Sequence, residues 1–380
     1  MKRITFIAFS LLAGLALLSS CKKDEAPVYP EGNITAPEGQ HATFYSSVLS
    51  YEVTSNCDWT ITLDEDSPLT IDPLKGTEGT TTVSVTLPDN KTQDVLKSSF
   101  SIVFKNSADE SFSYVVEIEQ PRPSVEIGGL SYKVAYLADG QYWMTENLRY
   151  VPEGKTVSKD LAAIDNGVWY PLMTDDDHNM LFDDSATGVI EKGYLYTAEV
   201  AYGSAVTPDN YKTFAKVQGI CPEGWHIPDF YDWFGLIGRC SQSKPNKDNP
   251  DAPYWEDNAD APYYDAAKKF GSIDKAAADG MPIPITGYIN VANMTATEGT
   301  MVTGVKKDGV KAMFFGYILS SSAYQLVKNK TDDTVTNISL YALMPNANNG
   351  TLNVGNLNYR SGVSVRCVKN SAAPADAEEE

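Results

Sequence analysis

The sequence predicts an all-β sandwich followed by a larger α+β domain, and three observations carry that prediction. Residues 33–120 alternate apolar and polar side chains at period two, with no helical period. Pro121-Arg122-Pro123 then makes a stiff break, because its prolines fix φ and remove backbone donors. Beyond it strands continue until Phe230, Trp233, Phe234 and Ile237 give an i, i+3, i+4, i+7 stripe, the mark of one amphipathic helix. A chain of 380 residues, 42% hydrophobic and 11% aromatic, has the length and apolar content for more than one core.

Ahead of both domains, basic Lys2 and Arg3 precede an apolar run from Ile4 to Leu18, then small residues and Cys21. This is the anatomy of an export signal, and the run is short for a bilayer span. Leu18-Ser19-Ser20-Cys21 resembles the lipobox of bacterial lipoproteins, which implies a signal peptide over residues 1–20 and a lipid on Cys21. The following Lys22-Lys23-Asp24-Glu25 resembles the acidic signal that sends Bacteroidetes lipoproteins to the outer face of the outer membrane. Residues 21–32 hold charges, prolines and few apolar side chains, so they are expected to be a disordered tether.

In the first domain, Trp59-Thr60-Ile61-Thr62-Leu63, Thr82 to Leu87, Phe100 to Phe104 and Tyr114 to Ile118 each read as half-buried strands. Polar clusters at Asp89-Asn90-Lys91 and Asn106 to Asp109 supply the turns. Ser55-Asn56-Cys57-Asp58-Trp59, Pro73 to Gly79 and the closing Ile118-Glu119-Gln120 resemble the BACON domain, an immunoglobulin-like module, over residues 33–122. The family's name implies carbohydrate binding. Trp59, however, stands in an alternating strand, so it is read as core and the domain as a spacer.

In the second domain Pro228-Asp229 supplies the start signal for the helix. Just before it, Gly219-Ile220-Cys221-Pro222-Glu223-Gly224-Trp225-His226-Ile227-Pro228 brings a thiol and an imidazole close in sequence. Two readings are open there: a cysteine nucleophile with a histidine base, or a corner of the fold with a packed histidine and a bridged cysteine. Cys57 and Cys240 are read as free thiols. The last residues, 370–380, are rich in alanine and glutamate and are expected to be a disordered tail.

That motif, together with Gly129 to Tyr132, Gln141-Tyr142-Trp143-Met144-Thr145-Glu146-Asn147-Leu148, Gly193 to Tyr196, Gly287-Tyr288 and Ser364-Val365-Arg366-Cys367-Val368, occurs in the order seen in the FISUMP domain, the Fibrobacter succinogenes major paralogous domain. The resemblance spans 125–369 and implies an α+β C-type-lectin-like fold, related to formylglycine-generating enzymes. In such a fold the helix packs on a sheet and the terminal Val-Arg strand returns beside the first. It also implies that the quoted stretch is a fold corner. Cys221 and Cys367 both fall in family motifs of an exported chain, so a disulfide is expected between them, closing a 146-residue loop. In the chain-entropy model such a bridge is worth about 5 kcal/mol.

Composition narrows the function. With 30 basic against 50 acidic residues, a net charge of −20 and no basic stripe, the chain repels nucleic acid. The run from Thr174 to Asp184 lacks the spacing of an EF-hand and is read as an exposed turn, so no metal and no cofactor are expected. No Glu-Pro-Asn or Gln-Pro-Asp triplet is present to select a sugar through calcium. The acidic residues nominate no glycosidase pair, and the cysteine pair that binds copper in formylglycine-generating relatives is assigned to the bridge, so the protein is expected not to be an enzyme. The insertion from Asp248 to Asp265 sets Tyr254, Trp255, Tyr263 and Tyr264 among Asp and Asn side chains, the composition of a sugar site or of a loop pinned by its aromatics. The expected function is a lipid-anchored surface protein presenting a lectin-like domain to a glycan or host ligand; the alternative is a fimbrial or surface-assembly component binding another protein.

Overall fold

The computed structural model describes residues 28–238, 259–265, 270–304 and 312–371. Two compact units emerge: one contains Ser47–Leu87 and Ser98–Ile118, the other takes in Ala42–Ser46, Pro88–Lys97 and the chain from Glu119 onward.

The first unit contains strands β1 (Gly32–Thr35), β2 (Ser47–Ser55), β3 (Asp58–Leu63), β4 (Thr70–Asp72), β5 (Lys75–Gly76), β6 (Gly79–Leu87), β7 (Leu96–Lys105) and β8 (Ser111–Gln120). They form two four-stranded antiparallel sheets, ordered β1-β2-β6-β4 and β5-β3-β7-β8. The alternation behaves as expected: Leu49, Tyr51 and Val53 of β2, Val83 and Val85 of β6, Trp59 and Ile61 of β3, and Phe100, Ile102 and Phe104 of β7 all turn inward and are buried. Tyr51 meets Phe100 edge-on across the two sheets at 5.9 Å. Trp59 is core, as its alternating strand predicts, and it lies so close to Gly76 that a β-carbon there would stand 2.4 Å from the indole. Only glycine fits at that crossing. Cys57 is a buried free thiol.

The second unit begins with β9 (Ser124–Ile127), β10 (Leu130–Tyr136), β11 (Tyr142–Met144), β12 (Val168–Trp169), β13 (Leu172–Thr174) and β14 (Met180–Phe182). Helix α1 (Ala186–Lys192), β15 (Leu195–Tyr196), α2 (Ala198–Tyr202), β16 (Trp225–His226) and α3 (Phe230–Ile237) follow. Next come β17 (Tyr264–Asp265), β18 (Phe270–Ser272), α4 (Ile273–Ala278), β19 (Tyr288–Asn290) and β20 (Thr300–Val302). Three long strands, β21 (Ile318–Lys328), β22 (Val335–Asn346) and β23 (Thr351–Asn358), precede the short β24 (Val368–Lys369).

Two five-stranded sheets organise this unit, β16-β24-β11-β10-β9 and β17-β18-β23-β22-β21. Their central strands β11 and β22 are covered on both faces. In β11, Tyr142 and Met144 enter one core with Tyr132, Val134, Tyr196 and Val365, while Trp143 between them enters a second with Phe230, Trp233 and Tyr341. Strand β22 divides the same way, Leu340 and Ala342 to the first core and Tyr341 and Leu343 to the second. Strands buried on both faces lose the alternation that marks a half-wet strand.

Helix α3 begins where Pro228-Asp229 predicts. Asp229 caps it by accepting the Asp232 amide, the Asp232 carboxylate accepts the Asp229 amide in return, and Gly238 ends it in the left-handed conformation. Phe230, Trp233, Leu236 and Ile237 are buried, so the stripe includes Leu236 where the spacing nominated Phe234, which is half-buried. The terminal strand β24 pairs with β11 and β16, one strand removed from β10, so it does not lie beside the first strand as the resemblance implied. The structure is mostly strand; the lectin-like part of the expected class is a finer statement than the strand order alone makes.

Candidate functional site

The Gly219 to Pro228 motif forms a corner. Gly219 adopts φ 53°, and a β-carbon there would stand 2.1 Å from the Ala201 carbonyl, while the neighbouring Ile220 amide donates to that same carbonyl at 2.9 Å. Trp225 and His226 pair with Lys369 and Val368. Cys221 and Cys367 are joined in a disulfide across 146 residues, with 5.9 Å between their α-carbons. The sulfur is thus spent in a bond, and the nucleophile reading of Cys221 ends there. Imidazole and thiol do not form a pair: His226 Nδ1 lies 2.6 Å from Asn370 Oδ1, and Nε2 lies 2.9 Å from Asp232 Oδ2. Burial alone would raise the Asp232 carboxyl, but the His226 contact and the Asp229 amide outweigh it and hold the group below its ordinary value. Asp229 moves the other way, raised by burial and by the charge of Asp232.

The terminal motif is anchored through its arginine. Arg366 is fully buried; its Nε donates to Asn147 Oδ1 at 2.7 Å and its Nη2 to the Pro282 carbonyl at 2.7 Å. Burial pulls the guanidinium down to about 9. Asn147 and Arg366 therefore link two of the quoted motifs as one hydrogen-bonded core element.

Of the expected ligand-binding residues, the described ones are Tyr263 and Tyr264. Tyr254 and Trp255 lie outside the described residues, as do Cys21 and Cys240. Tyr263 is 1% exposed, packed in the core that contains Trp233 and Trp143, with its amide bonded to the Leu236 carbonyl. A ring so enclosed offers no face to a sugar, so Tyr263 is corrected from ligand contact to core. Tyr264 is half-buried in β17. The acidic run after Thr174 forms the turn between β13 and β14, where Asp175 accepts the backbone and side-chain amides of Asn179.

Clefts open on the described surface include the following three. One of about 550 Å³ is lined by Leu161, Met180, Glu298 and Met301, and one of about 430 Å³ by Glu153, Lys155, Asp165 and Glu199. Neither has an aromatic wall. The third, about 340 Å³, lies within the second unit and is lined by Tyr45, Asp89, Tyr136, Gln141, Tyr142, Lys369 and Asn370, with Ser46 and Ser371 at its edge.

This third cleft is firmly built. Tyr142 meets Tyr45 edge-on at 5.7 Å and Tyr136 at 5.0 Å. The Tyr142 hydroxyl donates to the Asn90 carbonyl, and the Asn90 side-chain amide donates to the carbonyls of Asp94 and Pro121. Asp89 Oδ1 accepts the Ser46 amide at 2.7 Å. Burial, opposed by a hydrogen bond from Trp225 and reinforced by Asp89, pushes the Tyr45 hydroxyl up to about 12; Tyr142 is raised further, by burial and then by Asp89. Both phenols stay protonated through the physiological range and keep their O–H donors. The Lys369 ammonium sits 4.4 Å above the Tyr45 ring and the Lys91 ammonium 4.5 Å above the Tyr136 ring. Little in the sequence points to this grouping, since its members come from segments far apart in the chain; Tyr142-Trp143-Met144 stands within a family motif with no mark of a site.

Comparison with known proteins adds a family. The model of the Fibrobacter succinogenes major domain matches residues 138–369, more than half of the chain. No curated protein matches. Among solved structures, the ASH/PapD-like domain 7 of human CEP192 is similar at 12% identity and a TM-score of 0.21, covering 30% of this chain and 100% of its own. A Bacteroides ovatus GH5 xyloglucanase in complex with a XXXG heptasaccharide is similar at 12% identity and a TM-score of 0.21, covering 41% of this chain and 31% of its own. The periplasmic chaperone SfaE is similar at 14% identity and a TM-score of 0.17, covering 33% and 78%. Overlaps this slight transfer no activity.

Proposed function

Because the chain belongs to the Fibrobacter succinogenes major domain family, we propose that it is a lipid-anchored cell-surface protein whose second, lectin-like unit binds a glycan, without catalysis, metal or cofactor. The observation that supports this reading is the cleft of Tyr45, Tyr136 and Tyr142, where apolar ring surface stands beside the Asp89 carboxylate and the Gln141 and Asn370 amides. Sugars ask for that pairing: C–H faces lie on rings while hydroxyls meet amides and carboxylates. The lipobox-like Leu18 to Cys21 and the acidic Lys22 to Glu25 support a position on the outer face of an outer membrane. Its acidic surface, at a net −20, keeps it from nucleic acid.

Two measurements test the reading. A glycan array should give a defined set of bound sugars. Protease added to intact cells should remove the protein, and Cys21→Ser should release it from the membrane; protection until lysis, or a Cys21→Ser protein still membrane-bound, would refute the placement. A second reading, an assembly component that binds another protein, is favoured by β8, an edge strand on which Tyr114 is 42% and Val115 64% exposed. An unpaired strand edge with apolar side chains is a site for strand addition. A blank array would shift the weight there.

A further inference from the structure

Two ammonium groups flank the aromatic cleft. Lys91 and Lys369 rest over the rings of Tyr136 and Tyr45, and neither has a carboxylate partner among the described residues. The chain as a whole carries 50 acidic against 30 basic residues, so these two lysines are a local departure from its net charge. Asp89 is the one carboxylate lining the cleft, and its Oδ1 is already engaged by the Ser46 amide. The other polar groups on the lining are uncharged: Ser46, Gln141, Asn370 and Ser371, with the phenols of Tyr45, Tyr136 and Tyr142. The cleft thus combines one ammonium and one carboxylate on its lining, neutral donors and ring surface, with a second ammonium, Lys91, beside it over the Tyr136 ring. At about 340 Å³ it is at the small end of the range of ligand sites, which runs from roughly 300 to 1,000 Å³.

We propose that this cleft selects an acidic sugar, a pyranose bearing a carboxylate, whose ring lies against the tyrosines while its carboxylate meets the Lys369 and Lys91 ammonium groups. This rests on the glycan reading above and adds the ligand's charge. The cation–π seats matter to the selection. They favour one place for each ammonium without neutralising it, so the lysines lose less freedom on binding and their charge remains available to an anion. A neutral sugar would gain the rings and amides but leave both ammoniums unanswered. Asp89 opposes the acid, so removing its charge should tighten binding.

The test titrates digalacturonic acid and its neutral counterpart galactobiose into the full chain by calorimetry. The acid should bind more tightly, and its affinity should fall as salt is raised, since the contact is a partly exposed charge pair. Lys91→Met with Lys369→Met should weaken the acid by about tenfold or more, the scale of a lost charged hydrogen bond, and should weaken it more than it weakens galactobiose. Asp89→Asn, which keeps an acceptor for the Ser46 amide, should strengthen it. This second variant preserves the test if the lysine variant folds poorly. Equal binding of acid and neutral sugar, untouched by the lysine change, would overturn the charge selection and leave the glycan reading standing. If neither sugar binds while a glycan array shows neutral ligands, the selection is again overturned; if the array is also blank, both fall.

Discussion

The two units solve the problem of burial differently, and the difference decides what each can display. In the sandwich every strand keeps one wet face: β2 buries Leu49, Tyr51 and Val53 and turns Val48, Ser50, Glu52 and Thr54 outward. In the second unit β11 buries Tyr142, Trp143 and Met144 together, because separate cores press on its two faces. A unit whose central strands are covered has little sheet face to present, and the cleft of Tyr45, Asp89 and Lys369 lies where the ends of β10, β11 and β24 meet loops. A sandwich with one wet face per sheet leaves whole strands open, β8 among them.

The largest effect expected from breaking this contrast is in the bridge. The corner at Cys221 and the end of β24 are brought together by covalent closure of a 146-residue loop. Cys221→Ala with Cys367→Ala should cost about 5 kcal/mol, read by denaturant unfolding and by lost hydrogen-exchange protection at Trp225 and Val368. Unchanged protection there would mean that packing alone fixes the corner. A smaller effect is expected in the sandwich, where Gly76→Ala would drive a methyl into the Trp59 indole. Overpacking of this kind costs about 1–3 kcal/mol, and thermal unfolding should show it; full stability would show that Trp59 has room to shift.

The smallest effect is a pH dependence. Burial would raise Asp183, but hydrogen bonds from Lys192 at 2.7 Å and Ser185 at 2.6 Å outweigh it and lower the group. A carboxyl lowered in the folded state adds stability above its unfolded value, near about 3.9, and loses that stability as pH falls through the folded value. Asp183→Asn should therefore flatten the acid limb of the stability curve and leave its slope near neutrality unchanged. An acid limb identical to wild type would rule the pair out as a contributor.

What was legible from residues follows the same contrast. Period-two alternation exposed the strands of the sandwich and placed Trp59 inside, because one wet face leaves a pattern in the chain. In the second unit that signal is erased in β11 and β22, and ordered motifs carried the reading instead: they led to the family, to the Cys221–Cys367 bridge and to the corner before α3. They did not lead to the site. Tyr263 looked available because it stands among acids and prolines, yet its ring fills the core beside Trp233. The cleft joins Tyr45, Asp89, Tyr136, Tyr142 and Lys369, residues that no local window contains. Tertiary proximity of this kind leaves no period or spacing to read.

The central claim is that this cleft, and not the aromatic insertion, holds the ligand. Tyr136 tests it most directly, since it is half-buried on the lining and packs at the margin of the first core and not within it. With a sugar identified on the array, Tyr136→Ala should weaken its binding by about tenfold, the worth of one aromatic contact, at an unchanged melting temperature. Full affinity in a well-folded Tyr136→Ala protein would contradict the account and take the cleft out of the function.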